Sequence, residues 1–482
     1  MAEESGQRSG PPHLAGKSDP GQLAFWLVLA LAAAALVAPW WGHVDDTDAQ
    51  LYQFVARGMA ARHSWLDPRY LPRIYPHFRE HLPFGLWPFV AAIRLAGERA
   101  LAPLAALETL TALALTGWLG RKLAGPWAGA LAMAVLATNE SFVLYGGRPR
   151  LDPLLVLLAT AAAVPVLLGR PSARGWLLAA GLAALAALVK GPFGVVPLAA
   201  ATLARAILDR SPRALIAGAT ASVAALLPAA GFLLAERWWG DGTWWTGYVV
   251  KQLVSSALGV RHDGHLAWTF PLTDLGRRFW PGLALLPLGI AQALRRRSPP
   301  SAEVEAARLL ALTAVAQVAL LTLPGRKVWN HELVAYPLLA LVGGVGVGPW
   351  LAARSRPAQA RVALGAAVLA GACWGAALSG IGRRWDKPAC VVAAEFAPEL
   401  ARLPPGTEVP VVSRPTDWHL IAQLAEERSL AAYPSATVTA LAAVPAGDRL
   451  AIASGSVSGL PAGWHLVARA RGYALLARSP AR

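Results

Sequence analysis

The chain has 482 residues, of which 55% are hydrophobic and 15% charged, with a mean hydropathy of +0.44 and a net charge of +16. A mean hydropathy that high excludes an ordinary soluble domain, and many apolar segments approach the length needed to cross hydrocarbon. The two cysteines, Cys373 and Cys390, support neither a disulfide framework nor a cysteine-based metal site.

In chain order, residues 1–22 are polar and rich in Gly and Pro, and read as a cytoplasmic tail. The apolar run Leu23–Trp41 ends in Ala-Pro-Trp-Trp with no obvious small-residue cleavage site, so it reads as an uncleaved first helix rather than a signal peptide. Further spans are expected near 100–120, 126–145, 153–169, 175–189, 191–207, 214–235, 279–294, 309–324, 333–353 and 362–382, about eleven in all counting 23–41. Basic clusters test this order. Arg121-Lys122, Arg170 with Arg174, Arg205 with Arg210 and Arg213, Arg295-Arg296-Arg297, and Arg354 with Arg356 and Arg361 each follow an even-numbered span. The positive-inside bias then places all of them in the cytoplasm together with the N-terminal tail.

Residues 175–207 are the ambiguous stretch, because only Lys190 interrupts an apolar run long enough for one tilted helix. One helix would separate Arg170 and Arg205 across the bilayer, whereas Lys190-Gly191-Pro192 supplies a turn. A tight outer hairpin is therefore expected. The chemically interesting loops then share the outer face: 42–99, Gly146–Asp152, Lys190-Gly191-Pro192, Glu236–Arg278 and Pro324–Glu332. Residues 383–482 are less hydrophobic, with β-like runs at Glu408–Val412, Arg449–Ala453 and His465–Leu476, and are expected to form a small extracytoplasmic α/β domain. The fold class expected is thus an all-α polytopic membrane domain over residues 23–382 followed by that small domain.

The first outer loop carries most of the chemistry. Asp45-Asp46-Thr47-Asp48 follows directly on the first apolar run, and carboxylates beside a bilayer are costly to desolvate. After them Leu51, Phe54, Val55 and Met59 suit an amphipathic helix lying on the membrane. Asp48, Tyr52, Arg57 and Met59, then His81, Pro83 and Trp87, fall in the order of two motifs. In these the chain resembles polyprenyl-phosphate-dependent glycosyltransferases of the C-type polytopic fold, related to protein O-mannosyltransferases and lipid A aminoarabinose transferases. Ala49 stands where that family has a second acid, and His81 where it usually has Lys. Arg150-Leu-Asp152-Pro153, Lys190-Gly-Pro192, and Arg326-Lys327 ahead of Tyr336-Pro337 are further points of likeness, which together span residues 20–350.

The resemblance implies an inverting transferase that moves a sugar from a polyprenyl-phosphate donor to a lipid, glycan or protein hydroxyl on the outer face of a bacterial inner membrane. The residue chemistry agrees with it. Such a transfer needs a carboxylate to deprotonate the acceptor and cations to stabilise the departing phosphate. Asp48 is expected as general base, with Asp45 or Asp46 as substitutes; the alternative is that these acids merely solvate a helix end. Arg150, Lys190, Arg326 and Lys327 are expected to converge on the carrier phosphate, unless they only snorkel at the interface. Tyr52, His81, Asp152 and His331 complete the expected substrate-binding set. His262-x-x-His265 has ligand-like spacing, so a divalent cation is possible, but no metal ligand set is assigned. Trp238, Trp239, Trp244, Trp245 and Tyr248 could shield a donor or anchor an interface. A transporter or flippase for a lipid-linked substrate, and a scaffold presenting the C-terminal domain, are the rival readings. Transporters place ionisable groups near the midplane, where here only Glu108 is expected to lie deep. Nucleic acid is not an expected partner.

Overall fold

A computed structural model describes residues 19–37, 47–69, 77–261, 264–280, 282–295, 301–379, 395–396, 398–400, 402, 409–413, 430–434, 450–454, 460–470 and 473–479. The helices among them are α1 (Pro20–Val37), α2 (Thr47–Ala61), α3 (Trp87–Ala96), α4 (Leu101–Ala124), α5 (Pro126–Ala137), α6 (Glu140–Gly146), α7 (Asp152–Leu168), α8 (Ala173–Lys190) and α9 (Val196–Asp209). They continue as α10 (Pro212–Trp239), α11 (Ser255–Ala257), α12 (Phe270–Arg278), α13 (Leu286–Ala293), α14 (Ala302–Thr322), α15 (Tyr336–Ala352) and α16 (Arg356–Ser379). The expected spans overlap helices among the described residues, while 38–41, 281 and 380–382 lie outside those residues. Five helical stretches are long and apolar enough to cross a membrane: Glu98–Ala124, Ala173–Asp209, Pro212–Trp239, Ala302–Thr322 and Trp329–Ala352.

The stretch Ala173–Asp209 has the length of a single span, yet it folds back on itself. A 3-10 turn at Gly191–Val195 separates α8 from α9, and Gly194 lies against the α8 backbone at Ala186 and Ala187, where a side chain would collide. The far ends therefore return to one side: Arg170 Nε bonds Asp209 Oδ2 at 2.9 Å, and Arg205 donates to the Val166 carbonyl at 3.0 Å. The hairpin follows from Gly and Pro interrupting an otherwise uniform helical pattern.

In an apolar solvent helices gain little from hiding greasy surface, so close van der Waals packing must hold them together. Small residues allow it here. Gly120 of α4 faces Gly129 of α5, and Gly344 and Gly348 of α15 pack on Ala128 and Ala132 of α5. On α2, Val55 and Met59 are wholly buried while Leu51 and Phe54 pack partly buried against the same core. The amphipathic pattern of this helix thus serves to dock it on the bundle.

The C-terminal strands are β1 (Val409–Ser413), β2 (Leu430–Pro434), β3 (Leu450–Ser454), β4 (Trp464–Ala470) and β5 (Tyr473–Arg478). They form one sheet in the order β2-β1-β3-β5-β4, with β1 parallel to β2 and β3 and the β3–β5 and β4–β5 pairs antiparallel. Two strands escaped the sequence reading. Leu430–Pro434 lacks alternation, and the run His465–Leu476 is a hairpin rather than one strand.

Candidate active site

Asp152 opens α7, where a carboxylate meets the positive end of the helix dipole and Pro153 suits the first turn. Lys190 closes α8, where a cation meets the negative end. The α7–α8 hairpin sets these residues side by side, with Lys190 Nζ 2.6 Å from Asp152 Oδ1. Arg150 Nε donates to Asp152 Oδ2 at 3.0 Å, and Arg150 Nη2 reaches across to Asp48 Oδ2 on α2 at 2.6 Å. The result is a chain of alternating charge: Asp48, Arg150, Asp152, Lys190. Three members are buried, with side-chain exposures of 3% for Arg150, 2% for Asp152 and 4% for Lys190, whereas Asp48 keeps 43%. Of the four, Asp48 is the member most accessible to solvent.

Two aromatic rings fix the central guanidinium. Arg150 lies 4.6 Å from the Tyr145 ring centre and 5.8 Å from that of Trp329, and the two rings pack at 4.8 Å. Arg278 takes a second place on Trp329 at 4.8 Å and bonds Asp274 at 2.9 Å. Cation–π contacts of this kind gain strength when the pair is shielded from water.

Beside the charge chain opens a cavity of about 420 Å³, whose walls include Glu80, His81, Lys190, Tyr248, Arg326 and His331. Lys190 belongs to both structures. Tyr52 Oη and His81 Nε2 stand 2.9 Å apart, which ties α2 to the cavity wall. Burial pushes the Tyr52 hydroxyl well above its ordinary value, with Asp48 adding to the effect, so it stays protonated. Burial and then the Lys190 charge push the His81 imidazole down to about 3, so it is neutral at pH 7. His331 stacks on Phe193 at 3.9 Å.

The far wall is a π-helix, Trp245–Val254, a wide turn of backbone that recurs at functional sites. It carries Tyr248 and Gln252 to the cavity. The loop before α15 is stitched to α11, with Gly325 N on the Ala257 carbonyl and Arg326 N on that of Ser256, each at 2.8 Å. The segment bearing Glu80 and His81 is latched by its neighbour Arg79, which lies 4.3 Å over buried Trp244 and bonds Thr243 Oγ1 at 3.1 Å.

The structure thus brings Asp48, Tyr52, His81, Arg150, Asp152, Lys190, Arg326 and His331 to one end of the bundle. Lys327 lies at that end too but is not among the residues lining the cavity. That ammonium, expected at the carrier phosphate, instead donates to the carbonyls of Pro324 at 2.8 Å and Gly325 at 3.3 Å, because the tight turn before it leaves those oxygens without ladder partners. Asp45 and Asp46 lie outside the described residues, as does His262. His265 stacks on Phe270 at 4.0 Å, and among the described residues no three His, Cys, Asp or Glu gather as a metal site. Trp238 and Trp239 are exposed, unlike Trp244 and Tyr248. Sequence reasoning missed Arg79, Tyr145 and Trp329. Their one signal was aromatic and basic residues in loops expected to share one face, without a spacing to link them.

Gly191 shows how closely the site is fitted. Its φ of +69° suits glycine, and a Cβ there would collide with the Tyr248 hydroxyl. Gly191→Ala is expected to cost about 1–3 kcal/mol from backbone strain and to displace the π-helix wall, read as a lower unfolding temperature in detergent. An unchanged transition would mean that the turn tolerates a side chain.

No family model and no curated protein matches the chain. Solved structures do. ArnT from Cupriavidus metallidurans bound to undecaprenyl phosphate superposes with a TM-score of 0.70 at 17% identity, covering 94% of this chain and 97% of that one. The archaeal oligosaccharyltransferase AglB from Archaeoglobus fulgidus, in complex with an inhibitory peptide and a dolichol-phosphate, gives 0.54 at 15% identity over 89% of this chain and 69% of that one. With the helical order and the small terminal sheet, these likenesses show that the chain has the C-type polytopic glycosyltransferase fold.

Proposed function

We propose that the protein is a membrane glycosyltransferase that takes a sugar from a polyprenyl-phosphate donor and passes it to a hydroxyl on the outer face of a bacterial inner membrane. The observation that carries this reading is the charge chain from Asp48 to Lys190, which ends on a cavity lined by Arg326, His81 and His331. An accessible carboxylate at one end and an anion-favouring pocket at the other are the two halves such a transfer needs. ArnT and AglB, which share the fold, are solved with undecaprenyl phosphate and dolichol-phosphate.

In the proposed reaction Asp48 accepts the proton of the acceptor hydroxyl as its oxygen bonds the anomeric carbon. The bond from that carbon to the phosphate oxygen breaks, and its electron pair leaves with the phosphate. Attack opposite the leaving group inverts the anomeric centre. Lys190 and Arg326 stabilise the charge that develops on the phosphate, where preorganised cations act most strongly. Arg150 holds the Asp48 carboxylate in place through its Nη2 bond to Oδ2. The buried Asp152 keeps Arg150 and Lys190 apart and aimed.

Mass spectrometry of lipid extracts and envelope glycans from cells with and without the protein tests this. The expected result is an accumulating sugar-phosphate lipid and a missing glycan, lipid or protein modification in cells that lack it. Unchanged profiles, together with substrate counterflow in proteoliposomes, would instead establish a transporter.

A further inference from the structure

Part of the fixed positive charge beside the cavity is already paired. Arg150 and Lys190 face Asp48 and Asp152, two cations against two carboxylates, so the pairs shown here cancel. A phosphate that enters meets Lys190 already bonded to Asp152, and a wall that carries Glu80 as well as Arg326. Among the groups of the wall whose charge can respond to it are two imidazoles, those of His81 and His331.

His81 is the one held in place. The groups facing it are Tyr52 from α2, Glu80 from its own segment, Arg150 and Asp152 from the start of α7 and Lys190 from the end of α8. Tyr248 and Arg261 face it from the π-helix side, and Arg326 and His331 from the loop before α15. Cations outnumber carboxylates around this ring, and it has little water to solvate a charge of its own. An entering phosphate reverses that balance, since it places negative charge in the same enclosed space.

We propose that His81 is the proton-exchanging residue of the anion cavity: bonded to Tyr52 and enclosed with Lys190, Arg326 and His331, its imidazole takes up a proton from solvent as a carrier phosphate enters and returns it as the phosphate leaves. This rests on the phosphate-carrier reading and adds a regulation to it. A lysine at this position would supply a permanent charge; the histidine supplies one only when the ligand is there. The spent carrier, a phosphate monoester, bears more negative charge than the phosphodiester donor and draws the proton more strongly. Burial and Lys190 hold the empty-cavity imidazole down to about 3, which leaves the site free to take the proton at neutral pH. The sign follows: the occupied protein binds more protons than the empty one, so affinity rises as pH falls, by up to about tenfold per pH unit for one proton.

The test is isothermal titration of the full-length detergent-solubilised protein with farnesyl phosphate, between pH 8 and 6.5, in two buffers of different ionisation enthalpy that count protons taken up. Phosphate ionises for the second time near pH 6, and its own contribution is common to all forms of the protein. The wild type is expected to take up more protons than His81→Asn, and His81→Lys is expected to bind with the weaker pH dependence of that Asn variant. Equal proton uptake in wild type and His81→Asn overturns the role of His81 while leaving phosphate binding intact. Should His81→Asn fail to fold or bind, His81→Lys decides: uptake matching the wild type overturns the proposal and its loss sustains it. No binding by any form, the wild type included, overturns the phosphate-carrier reading itself.

Discussion

Asp48→Asn is expected to slow sugar transfer by about 10²–10⁴-fold, the usual contribution of a positioned proton acceptor. An amide of the same size still accepts a bond from Arg150, so local geometry persists. It cannot take the acceptor proton. Because the Asp48 side chain is 43% exposed, losing its ion pair with Arg150 costs little stability. The unfolding temperature should therefore stay near that of the wild type, and the Michaelis constant for the donor should change far less than turnover. Single-turnover transfer with saturating donor measures this directly. Wild-type turnover in the variant would remove Asp48 as base and shift attention to Asp45 and Asp46.

Asp152→Asn is expected to strike stability instead. Asp152 bonds Arg150 and Lys190 at once, and all three side chains are at most 4% exposed. Removing a buried carboxylate leaves its partners with uncompensated charge, which costs about 3–5 kcal/mol in comparable buried pairs. The unfolding midpoint in detergent should drop sharply, and donor binding should weaken because Lys190 is no longer aimed. The double variant Asp152→Asn with Lys190→Met should recover part of the loss, since Arg150 alone then faces Asp48. A single variant as stable as the wild type would mean that water, rather than Asp152, satisfies the two cations.

Much of the fold was legible before any coordinates. The apolar runs located the helices, because hydrocarbon demands long apolar stretches. Gly191-Pro192 marked the hairpin because the two stand together beside Lys190 in an otherwise apolar run, whereas the single prolines Pro165 and Pro228 are carried inside helices. The period of Leu51, Phe54, Val55 and Met59 marked α2 as one-sided, although not that its apolar face would meet protein. The π-helix left no trace, since Trp245–Val254, with Gly247 as its one interruption, reads like any amphipathic turn. Lys327 misled for a related reason: a lysine beside Arg326 looks like a second phosphate ligand until the tight turn behind it claims its ammonium.

The sequence by itself determined the class of molecule, the order of its helices and the residues able to carry chemistry, for these depend on composition, period and local breakers. The tertiary structure alone decided who partners whom. Asp48 and Arg150 are 102 residues apart, Asp152 and Lys190 are 38 apart, and Arg79 and Thr243 are 164 apart. No local rule fixes such pairings. They arise because small residues let the helices close to a particular separation, and that separation places one charge within reach of the next.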